Sequence, residues 1–410
     1  FNSKDCKLND IFFAIDGNFF KGRNYIKDAI NNGARIIISN SKFEGFNEKK
    51  ILFLYSSNPR KLLSEVSSKY YKLKPKNILA VTGTNGKTSV ANFYQQILLL
   101  NNKKVASIGT LGILSKNLNL NTSNTSLDPI SIHKVLQKLK KLKIDNVILE
   151  ASSHGLKQFR LENIKFKSAI FTNFSRDHLD YHKSFRDYLN SKLILFDQLL
   201  DPRGNIIFDE NIKESKILNR ISKKRNFKKY TLGNSKSFIN IKNISNIGNQ
   251  KKIDIRVGKK KYSFKTSLIG KIQINNLIYA IIAAYLSGLK IIKILKSINK
   301  IKPISGRLEK IGNLKNNGTV ILDYAHTPHA LKTVLLNVKE DFPSSKISLV
   351  FGCGGNRDQN KRSMMGNIAQ KYCDNIYLTD DNPRLEDPKF IRNQIKKGIK
   401  NKRFVEIPLR

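Results

Sequence analysis

Cysteines, acidic residues and long apolar runs are all scarce in this 410-residue chain, and each shortage excludes something. Cys6, Cys353 and Cys373 are too few for a paired disulfide framework and lack metal-ligand spacing, so a reducing compartment, the cytosol, is expected. The longest apolar stretch, near Tyr279 to Leu289, falls well short of the ~20 residues a membrane span requires, and no signal-peptide pattern opens the sequence. There is no internal repeat. Only 31 acids stand against 75 lysines and arginines, a net charge of +44. That excess would suit nucleic acid or an anionic membrane. However, lysines run through every region beside abundant Asn and Ile, as a genome-wide codon bias would also produce. Codon bias, a polyanion-binding face and a general attraction to phosphate-bearing substrates all remain open at this point.

The length allows two or three domains with their own cores, and 40% hydrophobic content is ordinary for a globular protein. Because the chain opens on Phe1 and stops just after a predicted strand at Phe404 to Ile407, a fragment lacking both ends is expected.

Residues 81–88, Val-Thr-Gly-Thr-Asn-Gly-Lys-Thr, follow the apolar run Ile78 to Val81 and precede a helical pattern, so they predict a strand, a glycine-rich turn and a helix start. This is the arrangement of a phosphate-binding loop. Gly83 and Gly86 allow backbone N–H groups close to an anion, and Thr84 and Asn85 complete the turn. Lys87 can reach terminal phosphates and Thr88 can ligate Mg2+. The position four before Gly86 is Thr82, not glycine, so the loop is shorter than the common eight-residue form. A nucleoside triphosphate is the expected ligand.

Short strands at Ile11 to Ile15, Ala34 to Ser39 and Ile51 to Leu54, with a helix near Tyr25 to Asn31, predict a small α/β domain over residues 1–72. A lysine-rich linker, Lys72 to Lys76, is broken by Pro75. Residues 73–302 should form a central ATPase domain with a mainly parallel sheet, its strands at Val105 to Ile108, Val147 to Glu150 and Ala169 to Asn173. Within it, residues 205–268 suggest shorter, antiparallel strands, followed by a helix from Ile274 to Leu289. Beyond Pro303, strands at Val320 to Tyr324, Ile347 to Phe351 and Asn375 to Thr379 alternate with helices, predicting a doubly wound, Rossmann-like domain over 303–410.

Polar residues gather where these strands end, which is where ligands sit in open α/β sheets. Glu150, followed by Ala-Ser-Ser-His-Gly, can hold Mg2+ on a nucleotide or cap the next segment, and the two roles are compatible. The run Ser175 to His182 packs Asp177, Asp180, His178, His182 and Arg176 together. For His178 a metal or phosphate contact and a structural role stay equally open. Asp323 to Pro328, Gly352 to Asp358 and Thr379 to Arg384 imply one shared cleft. There Arg357 and Arg384 are forked donors suited either to an amino-acid carboxylate or to a surface ion pair.

Taken in order, the set resembles the Mur ligase family over nearly the whole chain. The matching stretches are Thr82 to Thr88, Gly109-Thr110-Leu111-Gly112, Asn124-Thr125-Ser126, Glu150 to Leu156, Ser175 to His182, Gly306-Arg307, Asp323 to Pro328, Gly352 to Asp358 and Asp381 to Arg384. By matched position, the resemblance implies that Gly83 to Thr88, Asn276, Arg307 and Asp323 meet ATP. It places Thr88, Glu150, His178 and Lys192 at metal, Lys192 as a carbamate that turns a cation into a carboxylate-like Mg2+ ligand. Lys87, Lys192, His178 and Arg307 would be the catalytic set. Ser3, Asn124, Thr125, Ser126, Ser152, Gln158 and Arg160 would bind a UDP-muramoyl-dipeptide, whereas Asn18 and Phe19 differ from common family residues. Gln273 stands where relatives often have asparagine. Arg357, Asp381, Asn382 and Arg384 would choose the incoming amino acid. The Asp-Asn-Pro-Arg form resembles that of members accepting meso-diaminopimelate, whose second carboxylate Arg384 would pair.

The implied activity is ATP-dependent addition of meso-diaminopimelate to UDP-N-acetylmuramoyl-L-alanyl-D-glutamate through an acyl phosphate, in cytoplasmic peptidoglycan precursor synthesis. A monomer acting on small molecules, with no nucleic-acid partner, is expected. The alternatives are the lysine-adding form of the same ligase, folylpolyglutamate synthase, and a basic nucleic-acid-binding ATPase.

Overall fold

The computed structural model describes residues 2–17, 20–122, 124–248, 250–315, 318–400 and 403–408. Asn18 and Phe19, singled out from the sequence, lie outside them. In the N-terminal region the strands Ile11–Phe13, Ile36–Ser39 and Leu52–Tyr55 pair in parallel, with Gly45–Phe46 antiparallel at one edge. Phe12, Ala14, Ala29, Ile37 and Ile51 fill the small core beneath them. A helix not read from the sequence, Pro59–Tyr70, follows. It has clear start signals: the Asn58 side chain accepts from Lys61 N at 3.1 Å and Pro59 takes a first-turn position, where a missing N–H costs nothing. Ser64 Oγ donates to Glu162 O at 3.0 Å, joining this helix to the central region.

Among the described residues, eleven strands form the central sheet. The loop-bearing strand Asn77–Thr82 lies between Asn146–Glu150 and Phe166–Phe171, parallel to both and buried on both faces, which explains its continuous apolar sequence. One face is covered by the helices Lys87–Leu100 and Lys271–Leu286, which interleave Val90, Phe93, Tyr94 and Ile97 with Ile274, Leu277, Ile278 and Ile281. Ile132, Leu136, Leu195 and Phe196 cover the other.

The expectation of antiparallel strands over 205–268 is only partly met. Leu200–Asp209 and Lys228–Leu232 extend the parallel sheet, because the amphipathic helix Ser215–Lys224 provides the crossover that a parallel pair needs. Antiparallel pairing starts at Ile239–Ile247 and continues through Gln250–Val257 and Lys260–Thr266.

In the C-terminal region, Ser348–Phe351, Asn375–Thr379 and Val405–Ile407 make a parallel sheet. Its core holds Leu335, Phe351, Met365, Leu378 and Ile395. The strand expected to begin this sheet, Thr319–Leu322, pairs instead with Glu309–Asn313 in a separate antiparallel ribbon. A hairpin partner a few residues upstream is the easier one to reach. Among the described residues no helix is long and apolar enough to cross a membrane.

Candidate active site

The turn after Asn77–Thr82 is built around two glycines with positive φ, Gly83 at 144° and Gly86 at 87°. A Cβ on the first would collide with Thr172 Oγ1 and on the second with the Asn276 amide, so only glycine fits this bend. Gly86 caps the helix Lys87–Leu100, aiming the helix N-terminus at the space above the turn. The next strand end braces the loop. Asn173 Oδ1 accepts from Asn85 N at 3.0 Å and its Nδ2 donates to Asn85 O at 3.0 Å, while Thr172 Oγ1 donates to Asn85 O at 2.6 Å. Thr84 Oγ1 takes Ser175 N at 3.0 Å and the Tyr188 hydroxyl at 3.2 Å.

Lys87 folds back on this loop, its Nζ donating to Gly83 O at 3.0 Å and Thr84 O at 2.9 Å. Burial lowers its pKa, opposed by the nearby carboxylates of Glu150 and Asp177. Thr88 Oγ1 donates to Glu150 Oε2 at 2.9 Å, and Glu150 also accepts from Thr110 N at 2.9 Å and Thr110 Oγ1 at 3.2 Å. A hydroxyl and a carboxylate so placed are the hard oxygen donors that Mg2+ takes alongside phosphates and water.

Lys192 is 1% exposed, and its Nζ donates to Gly83 O at 2.8 Å and lies 4.4 Å from the centre of the Tyr188 ring. Burial drives its pKa well down, Lys87 adds to the effect, and Asp177 opposes it. As an ammonium ion it would offer a cation no lone pair, and as an amine only a nitrogen, where Mg2+ takes oxygen donors. Among the described residues no group of three His, Cys, Asp or Glu is arranged to hold a metal. His178 and Lys192 therefore fit a cation only if the lysine gains carboxylate character. His178, at φ 53°, stands 3.4 Å from Asp177 Oδ2 with its ring edge-on to His154, and burial lowers its pKa.

Beside the loop a second network connects four of the residues expected at the dipeptide. Ser126 Oγ and Ser152 Oγ are 2.9 Å apart, and Arg160 Nη1 donates to Ser126 O at 2.8 Å. Arg160 Nε and Nη2 also reach Gln158 Oε1, at 3.0 and 2.7 Å, and Gln158 Nε2 donates to Tyr181 OH at 3.0 Å. Thr125 Oγ1 is 3.1 Å from Thr110 Oγ1, linking this network to Glu150. Asn124 precedes it on the same loop. Ser3 is not part of this network: it is buried in the N-terminal region, where its carbonyl accepts from Asn32 Nδ2 at 3.0 Å.

Asn276 and Arg307 are joined through Gln273, the residue that departs from the common asparagine. Asn276 Nδ2 donates to Gln273 Oε1 at 3.2 Å, and Gln273 Nε2 donates to Arg307 O at 2.8 Å. The Arg307 guanidinium lies over the Tyr324 ring at 4.5 Å. Asp323 Oδ2 accepts from Leu308 N at 2.8 Å, and burial raises its pKa.

The loops expected to select the amino acid touch one another. Gly355 N donates to Asn382 O at 2.9 Å and Arg384 Nη1 to Gly355 O at 2.7 Å, while Asp381 packs against Gly352. Arg357 points elsewhere, to Asp180 Oδ2 at 3.8 Å on the histidine-bearing loop of the central region. Sequence reasoning did not single out Thr172, Asn173 or Tyr188 for a role. The first two sit in the polar run after Phe171 and were legible by position; Tyr188, an aromatic within a helix, carries no such signal.

Two family models cover most of the chain: the Mur ligase middle domain over residues 81–284 and the Mur ligase glutamate ligase domain over 306–408. The UDP-N-acetylmuramoyl-L-alanyl-D-glutamate--2,6-diaminopimelate ligase of Rickettsia typhi is 39% identical over 415 residues, covering 100% of this chain and 82% of its own length. A solved structure of an enzyme with that name superposes with a TM-score of 0.73 at 28% identity, covering 100% of this chain and 83% of the other. Mycobacterium tuberculosis folylpolyglutamate synthase with ADP superposes at 0.69 and 15% identity, over 85% of this chain and 84% of its own, a likeness of fold alone. With braced phosphate loop, connected serine–arginine network and paired C-terminal loops all in the matched stretches, this chain belongs to the Mur ligase family.

Proposed function

We propose that the protein is an ATP-dependent ligase that adds 2,6-diaminopimelate, in its meso form, to UDP-N-acetylmuramoyl-L-alanyl-D-glutamate. The proposed organisation is a nucleotide-sugar domain over 1–72, an ATPase domain over 73–302 and an amino-acid domain over 303–410. The observation that carries the substrate choice is the Asp381-Asn382-Pro383-Arg384 loop locked onto Gly355, within a chain 39% identical to a ligase of that name.

In this reading the γ-phosphate lies over Gly83 to Thr88, where Lys87 exchanges its carbonyl partners for phosphate oxygens. Ser126, Ser152, Gln158 and Arg160 hold the dipeptide so that its terminal carboxylate faces that phosphate. The carboxylate oxygen takes the phosphoryl group, ADP departs, and the diaminopimelate amine attacks the acyl carbon, expelling phosphate and losing a proton. Lys87 and Arg307 offset the charge that builds on the transferring phosphoryl group. No protein nucleophile is needed. Mg2+ held between Thr88, Glu150 and the phosphates would supply further charge neutralisation.

Burial favours the neutral amine of Lys192, the form that adds to CO2. A carbamate there would let Lys192, with His178, hold a cation and supply charge neutralisation. Arg384 and Arg357 receive the carboxylates of diaminopimelate, with Asn382 and Asp381 on its amine side; lysine, lacking the second carboxylate, would leave an arginine unpaired. The protein acts in the cytoplasm, as a monomer, on small molecules. The test is phosphate release from ATP with each substrate omitted in turn: release requiring both the UDP-muramoyl-dipeptide and diaminopimelate supports the reading, and release without the dipeptide contradicts it.

A further inference from the structure

The two C-terminal loops meet through unusual backbone. Asn356 and Arg384 both have positive φ, 49° and 52°, a region that L-residues occupy only when their surroundings hold them there. A Cβ at Gly355 would overlap Pro383 O, so the loops approach as closely as backbone allows. Beneath this junction lies Arg362, at the start of the helix Asn360–Tyr372 and 0% exposed. Its guanidinium binds Glu386 through both nitrogens, Nη1 to Oε2 at 2.8 Å and Nη2 to Oε1 at 3.0 Å. Nη1 also donates to Gln394 Oε1 at 2.7 Å and Nη2 to Gly354 O at 3.2 Å.

Glu386 in turn accepts from Asn356 N, and Asn356 Oδ1 accepts from Leu385 N at 3.0 Å. One ion pair, its arginine fully buried and its carboxylate partly exposed, therefore grips both loops, the first by Gly354 and Asn356 and the second by Glu386. Neither Arg362 nor Glu386 belongs to the Asp-Asn-Pro-Arg stretch, and both Glu386 carboxylate oxygens are taken up by Arg362 and Asn356 N. An ion pair on a buried arginine contributes little net stability against an apolar replacement, and fixing one arrangement is a role it can serve.

We infer that Arg362 and Glu386 are positioning residues for amino-acid selection: their bidentate pair sets the spacing of the two loops that carry Arg357 and Arg384, and with it the affinity for a diamino dicarboxylic acid over a monocarboxylic one. The inference rests on the amino-acid site proposed above. The alternative, a pair that merely holds the domain together, predicts equal losses for all substrates.

The experiment is steady-state phosphate release by Arg362→Met/Glu386→Leu, a volume-conserving apolar replacement, and by Glu386→Gln, which keeps the shape and the acceptor for Asn356 N. Arg384→Ala serves as control. The expected result is a rise in KM for diaminopimelate of at least about tenfold in both variants, with KM for ATP and for the UDP-muramoyl-dipeptide within about twofold of the parent and the preference over lysine reduced. Should the double variant misfold, Glu386→Gln alone decides the matter. An unchanged diaminopimelate KM in Glu386→Gln, or a parallel rise for all three substrates, overturns the inference while Arg384→Ala still raises that KM. If Arg384→Ala leaves it unchanged, the site assignment itself has failed and the positioning role falls with it.

Discussion

The loop Gly83 to Thr88 and the C-terminal loops at Gly352 to Asp358 and Thr379 to Arg384 all follow parallel strands, yet they are held in opposite ways. Around Gly83 to Thr88 the Thr84 hydroxyl, the Asn85 backbone and the Thr88 hydroxyl are bound to neighbouring strand ends, and Thr84, Thr88, Glu150 and Lys192 are buried. In the C-terminal loops Arg357 is half exposed, Leu385 is 94% exposed, and the anchor beneath them is buried Arg362 paired with Glu386. A site that must stabilise the same triphosphate in every turnover gains from rigid, desolvated donors. One that must admit and release a flexible amino acid needs open side chains on a fixed base. On the function proposed above, reaction and selection would be separable units.

The strongest way to break the comparison is at its rigid end. Lys87→Ala should lower kcat by about 10²- to 10³-fold, since no other cation in the loop can follow the transferring phosphoryl group, while the melting temperature stays near that of the parent. At the open end, Gly355→Ala must push Pro383 O aside and should cost about 1–3 kcal/mol of stability by denaturant titration. Its kinetic defect should appear in the KM for diaminopimelate and not in that for ATP.

A third contrast concerns pH. His133, in the helix Pro129–Lys141 facing the N-terminal helix, is fully buried, and burial with Lys74 nearby pushes its pKa down to about 4. The unfolded chain takes up a proton near pH ~6.5 that the native chain refuses, so stability is complete above that value and falls as pH drops towards about 4. His133→Leu should therefore lose less stability on acidification than the parent, by up to about 2 kcal/mol in paired denaturant titrations at the two ends of this window. The smallest effect sharpens the account of the loop's bracing: Tyr188→Phe removes one hydroxyl from Thr84 and should cost about 1 kcal/mol with little change in kcat.

How much of this was legible in the sequence follows the same division. Strand, turn and helix around Gly83 to Thr88 could be read directly, because a fully buried parallel strand is a continuous apolar run and phosphate binding restricts which residues can follow it. The serine–arginine network and Lys192 came only through family resemblance, since nothing local distinguishes a buried lysine from the many solvated ones. Leu200–Asp209 and Lys228–Leu232 were misread as antiparallel because strand direction is set by the crossover helix, not by the strand's own residues. Arg362 drew no attention: a lysine–arginine pair opening a helix resembles solvated surface, and its burial depends on Glu386 and Gln394 arriving from far along the chain.

The most direct test of separable reaction and selection is the ratio of kcat/KM for meso-diaminopimelate to that for L-lysine, measured in the parent and in Arg384→Ala, with KM for ATP recorded in both. The account predicts that the ratio collapses by about 10²-fold or more while KM for ATP stays within about twofold. A preserved ratio, or a rise in KM for ATP as large as that for diaminopimelate, would contradict it.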